Sequence, residues 1–298
     1  MNLRLTNGHV KSTPMPTVDI SSTFSEELES LAAESKARAI AVSLHDLETG
    51  LRFSLRGDRW FHAASTIKVA VLFVVFRAAD EGRLRLDDSL HVRNRFFSAA
   101  NGSLFHVSPD RDATPELYHC IGRTAKISAL AHAMISGSSN LATNLLLDFV
   151  GVEYARQVLR DAQVDAVELR RGVEDHAAHE RGINNEATAN GLLTLLSAIR
   201  SDFLSNKSKQ DVIGILLEQR FNSMIPAGLP AHATVAHKTG EISTACHDIG
   251  IVYLPEREPY IAVILTEFDS EKAKRRETVA AVSELIYRFL LGQGTPIK

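Results

Sequence analysis

The chain predicts an α+β fold: one antiparallel five-stranded sheet flanked by helices, plus an inserted all-helical lobe. Three observations carry this. Two strand patterns stand near the start and three near the end, helical patterns fill the stretch between them, and amphipathic helical patterns mark both ends. The five strands can form one sheet only if the chain returns to it after the insertion. The expected division is a polar, mobile segment over 1–22, a discontinuous sheet lobe of 23–60 and 207–298, and an all-helical lobe of 61–206.

The elements follow in order. Thr23-Phe24-Ser25-Glu26 reads as a capping box opening a helix that reaches about residue 37. Residues 39–46 and 51–55 read as strands joined at Glu48-Thr49-Gly50, a hairpin. From Ser65 to Glu81 the middle has no polar face (Ile67, Val69, Val71, Leu72, Phe73, Val74, Val75, Phe76), and Gly82 follows as a stop. A helix apolar all round is a buried one. Helical patterns continue over 127–135, 141–150, 153–161 and 187–199, and another covers 210–220. Strands are expected over 234–239, 248–254 and 260–266, the last two joined through Pro255-Glu256-Arg257-Glu258-Pro259. A final amphipathic helix runs from about 270 to 291, and the terminal helices cover one face of the sheet.

Composition narrows the function. At 298 residues, 45% apolar and 23% charged, the chain has ordinary values for a large folded core. A net charge of −3 leaves no footprint for nucleic acid. The basic cluster Glu271-Lys272-Ala273-Lys274-Arg275-Arg276-Glu277 is flanked by acids and reads as a solvated face. The longest apolar stretch, 69–76, is too short to cross a bilayer. Residues 1–20 carry polar and proline residues where a secretion signal needs a continuous apolar core. Cys120 and Cys246 lie far apart and are expected to be free thiols.

Three short motifs carry chemistry: Ser65-Thr66-Ile67-Lys68, Ser138-Ser139-Asn140 and Lys238-Thr239-Gly240. Ser65 and Lys68 are three apart, which on a helix places both side chains on one face. A serine hydroxyl is a poor nucleophile until a base takes its proton, and a lysine in a poorly hydrated, positive site is neutral enough to do so. Lys68 within an apolar helix is costly unless it lines a cavity. Ser65 also starts that helix, where its own N–H is free for an oxyanion. Lys238 and Thr239 at a strand edge can bind a carboxylate, and Gly240 permits close backbone approach. The N–H of Glu241 would be a second oxyanion donor.

In their order and context these motifs resemble the penicillin-recognising serine hydrolases, most closely the class A β-lactamases. Met224-Ile225-Pro226-Ala227-Gly228-Leu229-Pro230 adds to the likeness, which spans roughly residues 40–290. The resemblance implies a β-lactamase-like fold and a β-lactam opened through a Ser65 acyl-enzyme. It implies that Ser138 relays a proton to the leaving nitrogen and that Asn140 holds the substrate amide and the lysine. It implies no cofactor and a small-molecule partner, with no nucleic acid or membrane and a monomer expected. A periplasmic or secreted setting is usual for the family. Where the family has aspartate between the Ser and Asn, this chain has Ser139, removing a carboxylate that braces the loop.

The family's deacylating carboxylate is a glutamate on a long loop with asparagine four residues later. Glu174 sits about the right distance before the next helix, but residue 178 is alanine; Glu180 has Asn184 at that spacing yet lies close to the helix. Glu174 is taken as the catalytic carboxylate, with Glu180 and neither as the alternatives. Without such a base the acyl-enzyme persists, giving a slowly deacylating penicillin-binding protein or sensor. An esterase or D-alanyl peptidase on the same serine is a further alternative. Residues 244–249 supply no arginine as a second cation for a substrate carboxylate. His176-Ala177-Ala178-His179-Glu180 matches neither zinc-protease order, so no metal is expected.

Overall fold

Strands apolar on both faces must be covered on both, and that requirement organises the molecule. The computed structural model describes residues 20–269 and 274–292. The chain enters through α1 (Ile20–Glu34), β1 (Ala37–Asp46), β2 (Arg52–Leu55) and β3 (Trp60–His62), then α2 (Lys68–Asp80). Four short strands follow: β4 (Ser89–His91), β5 (Phe96–Phe97), β6 (Leu104–Phe105) and β7 (Thr124–Lys126). Next come α3 (Ile127–Ser136), α4 (Asn140–Val150), α5 (Val152–Asp161), β8 (Val167–Glu168), α6 (His176–Glu180), β9 (Glu186–Thr188), α7 (Ala189–Arg200) and α8 (Asn206–Leu217). The chain returns to the sheet as β10 (Thr234–Ile242), β11 (Ala245–Tyr253) and β12 (Tyr260–Phe268), and α9 (Arg275–Leu290) follows.

The main sheet has five strands in the order β10-β11-β12-β1-β2. Every pairing is antiparallel, and β1 meets β12 in the register Ile40↔Thr266, Val42↔Ile264, Leu44↔Ala262. Side chains alternate between faces. Ile40, Val42, Leu44, Val252 and Ile264 pack against Phe24 and Leu28 of α1 and Val279, Val282 and Ile286 of α9. Ala39, Ala41, Ile249, Ile251, Val263 and Leu265 face the other way, into the core built around α2. From Val69 to Phe76, α2 is at most 1% exposed; each large apolar side chain so buried contributes about 1.5–3 kcal/mol. Gly82, at φ +72°, takes the left-handed position just past that helix.

Several expectations change. The first helix starts at Ile20, and Phe24 is buried, so Thr23-Phe24-Ser25-Glu26 lies inside the helix instead of capping it. The polar segment expected over 1–22 lies outside the described residues up to residue 19, and the start expected for the last helix, 270–273, lies outside them too. The region expected to be all-helical also holds a three-stranded sheet, β3-β9-β8, and two ribbons, β4-β7 and β5-β6. These strands have two or three residues each, too few for alternation to show in a sequence. Helix α7 starts at Ala189 because Glu186–Thr188 is strand, and the Thr188 hydroxyl caps it by accepting from the Gly191 N–H at 2.9 Å. Both cysteines are free thiols, Cys246 buried. Among the described residues no helix is long and apolar enough to cross a membrane.

A 3₁₀ turn, Ile225–Gly228, seats the approach to β10 on α9. A Cβ at Gly228 would lie 2.1 Å from the carbonyl oxygen of Ala280. Gly228→Ala is expected to lower the unfolding free energy by about 1–3 kcal/mol, as forced overpacking does. A urea midpoint equal to that of the wild type would show that the turn does not rest on the helix.

Candidate active site

Strand β3 ends at His62, and a 3₁₀ turn, Ala64–Ile67, carries Ser65 to the head of α2. Ala64 has φ +47°, and its N–H donates to His62 Nδ1 at 3.0 Å. Burial, then the nearby Arg171 charge, push the His62 pKa down to about 4, so the ring is neutral and free to accept. Strand β10 presses against this turn. A Cβ at Gly240 would stand 3.0 Å from the backbone nitrogens of both Ser65 and Thr66, so a side chain there would push the strand away. Behind β10, buried His237 is held through Nδ1 by Asp248 at 2.9 Å and through Nε2 by Asn222 at 3.1 Å.

Two lysines meet at one hydroxyl. Lys68 and Lys238 are both fully buried. The Lys68 Nζ donates to the Ser138 carbonyl at 2.6 Å, to Asn140 Oδ1 at 2.7 Å and to Ser138 Oγ at 3.2 Å. The Lys238 Nζ donates to the same Ser138 Oγ at 3.0 Å and to the Thr239 carbonyl at 2.9 Å. Burial drives the Lys68 pKa down to about 7, against the upward pull of the Asp112 and Glu174 charges. Lys238 is also lowered well below an ordinary lysine, by burial and then by the Lys68 charge.

The motif after α3 is a helix start. Ser139 caps α4, its hydroxyl accepting from the Ala142 N–H at 3.2 Å, and Asn140 is the first residue of the helix. Ser138, at φ +57°, turns its side chain toward the lysines. The Asn140 amide then bridges two groups: Oδ1 accepts from Lys68, and Nδ2 donates to Glu174 Oε1 at 2.6 Å. The other Glu174 oxygen accepts from the Ser108 N–H at 3.1 Å.

The loop carrying Glu174 is tied down on each side. Asn144 exchanges two hydrogen bonds with the backbone of Val173, and the Asn185 side chain makes three with the backbone of Arg170 and Arg171. Asp175 accepts from Ser98 Oγ at 2.7 Å and from the Ala99 N–H at 2.8 Å. Glu174 therefore lines the cleft with Ser65 and Asn140, whereas Glu180 is exposed at the end of α6 and does not line it.

The cleft has two connected sides around Ser65. One, of about 550 Å³, is bordered by Glu174, Asn140 and Glu241; the other, of about 350 Å³, by Ser138, Thr239, Glu241 and Arg276. Together they match the size of small-molecule sites. The structure thus lines one cleft with Ser65, Ser138, Asn140, Glu174, Thr239 and Glu241, and sets Lys68 and Lys238 behind it on Ser138 and Gly240 against Ser65. His62, His176 and His179 also border it, and among the described residues no three His, Cys, Asp or Glu groups are arranged to hold a metal ion.

Sequence reasoning missed two features. Arg275 and Arg276 are not merely a solvated face: both pair with Glu241, at 2.9 and 2.8 Å, and Arg276 borders the cleft beside Thr239. A second cation therefore reaches the cleft from α9, not from β11. The one signal for it was the basic run itself. Strained backbone is the other. Ala64, Ser138 and Glu174 all hold positive φ without being glycine, and all three belong to this site. Such conformations persist where the surroundings over-determine them.

A five-stranded sheet with a helical insertion, and a cleft built from Ser-Lys, Ser-Asn and Lys-Thr-Gly segments, define a serine acyl-transfer hydrolase of the penicillin-recognising class. The model of the β-lactamase enzyme family matches residues 23–290, and the chain belongs to that family. It is 28% identical over 290 residues to the β-lactamase ROB-1 of Haemophilus influenzae, covering 95% of this chain and 90% of that one. The extended-spectrum β-lactamase PER-1 of Pseudomonas aeruginosa is 24% identical over 287 residues, covering 89% and 87%. Among solved structures, PBP-A aligns with a TM-score of 0.78 at 25% identity, covering 91% of this chain and 97% of that one. An ancestral class A β-lactamase aligns with a TM-score of 0.77 at 26% identity, covering 89% and 99%.

The burial of Lys68 has a direct test. Lysine-selective NMR is expected to show one amine titrating near 7, and its loss in Lys68→Met would assign it. A Lys68 signal titrating with the surface lysines would contradict the buried site.

Proposed function

We propose that the protein hydrolyses the β-lactam amide through an acyl-enzyme on Ser65. The observation that carries this reading is the convergence of two buried lysine amines on the Ser138 hydroxyl, in the cleft that Ser65 lines. Neutral Lys68 takes the Ser65 hydroxyl proton as Oγ attacks the ring carbonyl. The backbone N–H groups of Ser65 and Glu241 receive the oxyanion, and Lys238, Thr239 and Arg276 face the substrate carboxylate. As the carbon–nitrogen bond breaks, Ser138 gives its proton to the ring nitrogen and takes one from protonated Lys68. The ester on Ser65 is then cleaved by water whose proton passes to Glu174 as the new carbon–oxygen bond forms, and Glu174 returns that proton to the leaving Ser65 oxygen. Every group of this scheme is supplied by one chain, which is compatible with a monomer acting on a small molecule.

A second reading starts from Glu174 itself. Both of its oxygens already accept hydrogen bonds, from Asn140 and from Ser108. If these contacts keep the carboxylate off the water, the ester persists and the protein acts as a slowly deacylating penicillin-binding protein. Intact-mass spectrometry after brief exposure to benzylpenicillin, followed over time, separates the two. A mass increment that appears and clears within turnover supports hydrolysis; one that stays supports the receptor; no increment refutes both.

Three outcomes are expected. Ser65→Ala abolishes the mass increment, and survival of the increment would remove Ser65 from its role. Glu174→Gln slows clearance of the ester by roughly 10²–10⁴-fold, the usual contribution of a general base; unchanged clearance transfers the role elsewhere. Because Lys68 acts as a base only when neutral, the acylation rate rises with pH through about 7 and levels off above it. A rate independent of pH across that window would exclude Lys68 as the base.

A further inference from the structure

Ser139 stands where the resembled family has aspartate, and its hydroxyl donates to a carboxylate from another part of the chain, Asp112 Oδ2, at 3.0 Å. The same oxygen accepts from the N–H groups of Asn140 at 2.8 Å and Leu141 at 3.0 Å, and from the Tyr118 hydroxyl at 3.2 Å. Asp112 Oδ1 accepts from the Thr114 N–H at 3.0 Å. Five donors thus converge on a carboxylate that is 7% exposed. The first N–H groups of a helix have no partners within it and carry its positive end. At α4 the Ser139 hydroxyl takes the Ala142 N–H, and Asp112 takes those of Asn140 and Leu141.

We propose that Asp112 is a positioning residue for the acylation of Ser65, supplying from outside the motif the negative charge and the brace that the family's aspartate supplies from within it. The inference rests on the reading of Ser65 as the acylated nucleophile. Asp112 acts through its neighbours. It fixes the backbone of Asn140, whose side chain holds the Lys68 amine at 2.7 Å, and it holds Ser139 next to Ser138, whose carbonyl holds that amine at 2.6 Å.

Lys68 is faced by three charged groups from three segments: Asp112, Glu174 on its loop, and Lys238 on β10. Removing the Asp112 charge takes away support for the ammonium form. The Lys68 pKa then falls further, and the acid limb of the acylation profile moves to lower pH. A purely structural loosening would instead hydrate the amine, raise its pKa and move the limb to higher pH.

The experiment compares the wild type, Asp112→Ser, Asp112→Asn and the exchange Asp112→Ser/Ser139→Asp, using benzylpenicillin as the probe and the rate of covalent labelling against pH as the readout. Asp112→Ser is expected to label about 10²-fold more slowly, the scale of a small misplacement of reacting groups. Both Asp112 single variants should show the acid limb displaced to lower pH. The exchange variant is expected to regain roughly tenfold or more, since coupled neighbours compensate each other, and to return the limb toward its original place. The proposal is overturned if Asp112→Ser labels like the wild type with its limb unmoved, or if the exchange variant is no faster than Asp112→Ser. Should Asp112→Ser not fold, the limb of Asp112→Asn decides. A wild type that never labels would refute the acyl-enzyme reading alone; the Lys68 titration by NMR, lower in Asp112→Asn or unchanged, then upholds or overturns the role of Asp112.

Discussion

Two lysine amines buried within hydrogen-bonding reach of one serine hydroxyl are the arrangement on which the rest of this structure depends. Removing an ammonium from water costs several kcal/mol even after relaxation, and placing a second one beside it adds repulsion. The fold answers in two ways. It supplies acceptors, the Ser138 carbonyl and hydroxyl, the Asn140 amide and the Thr239 carbonyl. It also lets the Lys68 proton become labile, with a pKa near neutrality. In the proposed reaction a group that would be an inert cation on the surface serves as a base, and the cost of burying it is the source of that reactivity.

That arrangement needs surfaces that do not yield. Lys68 is fixed by α2, a helix packed on all sides, and Lys238 by β10, backed by the buried His237–Asp248 pair. Ser138 and Asn140 are fixed by the start of α4. The Asn140 side chain couples the lysine to the Glu174 carboxylate, so the group read as acylating and the group read as deacylating share one amide. Positive φ at Ala64, Ser138 and Glu174 shows where the chain is held against its own preference. The sheet and its terminal helices provide the rigidity that keeps it there.

Much of this was legible before the coordinates. The strands of the main sheet, the buried helix and the amphipathic helices follow from apolar periodicity, which records burial directly. Their ends moved by a few residues where a cap or a strand intervened, as at Thr188. The strands of β3, β8 and β9 were invisible because a segment of two or three residues has no period. Ser65, Lys68, Ser138, Asn140, Lys238 and Thr239 could be singled out because each lies in a short local motif. Glu174 could be preferred to Glu180 only by its distance from the next helix, since both are acids on one loop and the path of the loop is what sends one inward and leaves the other exposed. Asp112 carries no local signal, and the basic run around Arg276 reads as a solvated face, because what each residue does depends on a partner far along the chain.

By itself the sequence determined the long strands and helices, which serine and lysine are candidates for chemistry, and that the terminal strands must share a sheet. Each is written within a turn or two of the chain, where periodicity and spacing act. Only the tertiary structure decided that Lys68 and Lys238 meet at Ser138, that Glu174 reaches Asn140, and that Ser139 meets the Asp112 carboxylate. Those contacts span 27 to 100 positions of the chain, and the reason is physical: burial and hydrogen-bond geometry act between atoms that are close in space, whatever their separation along the chain.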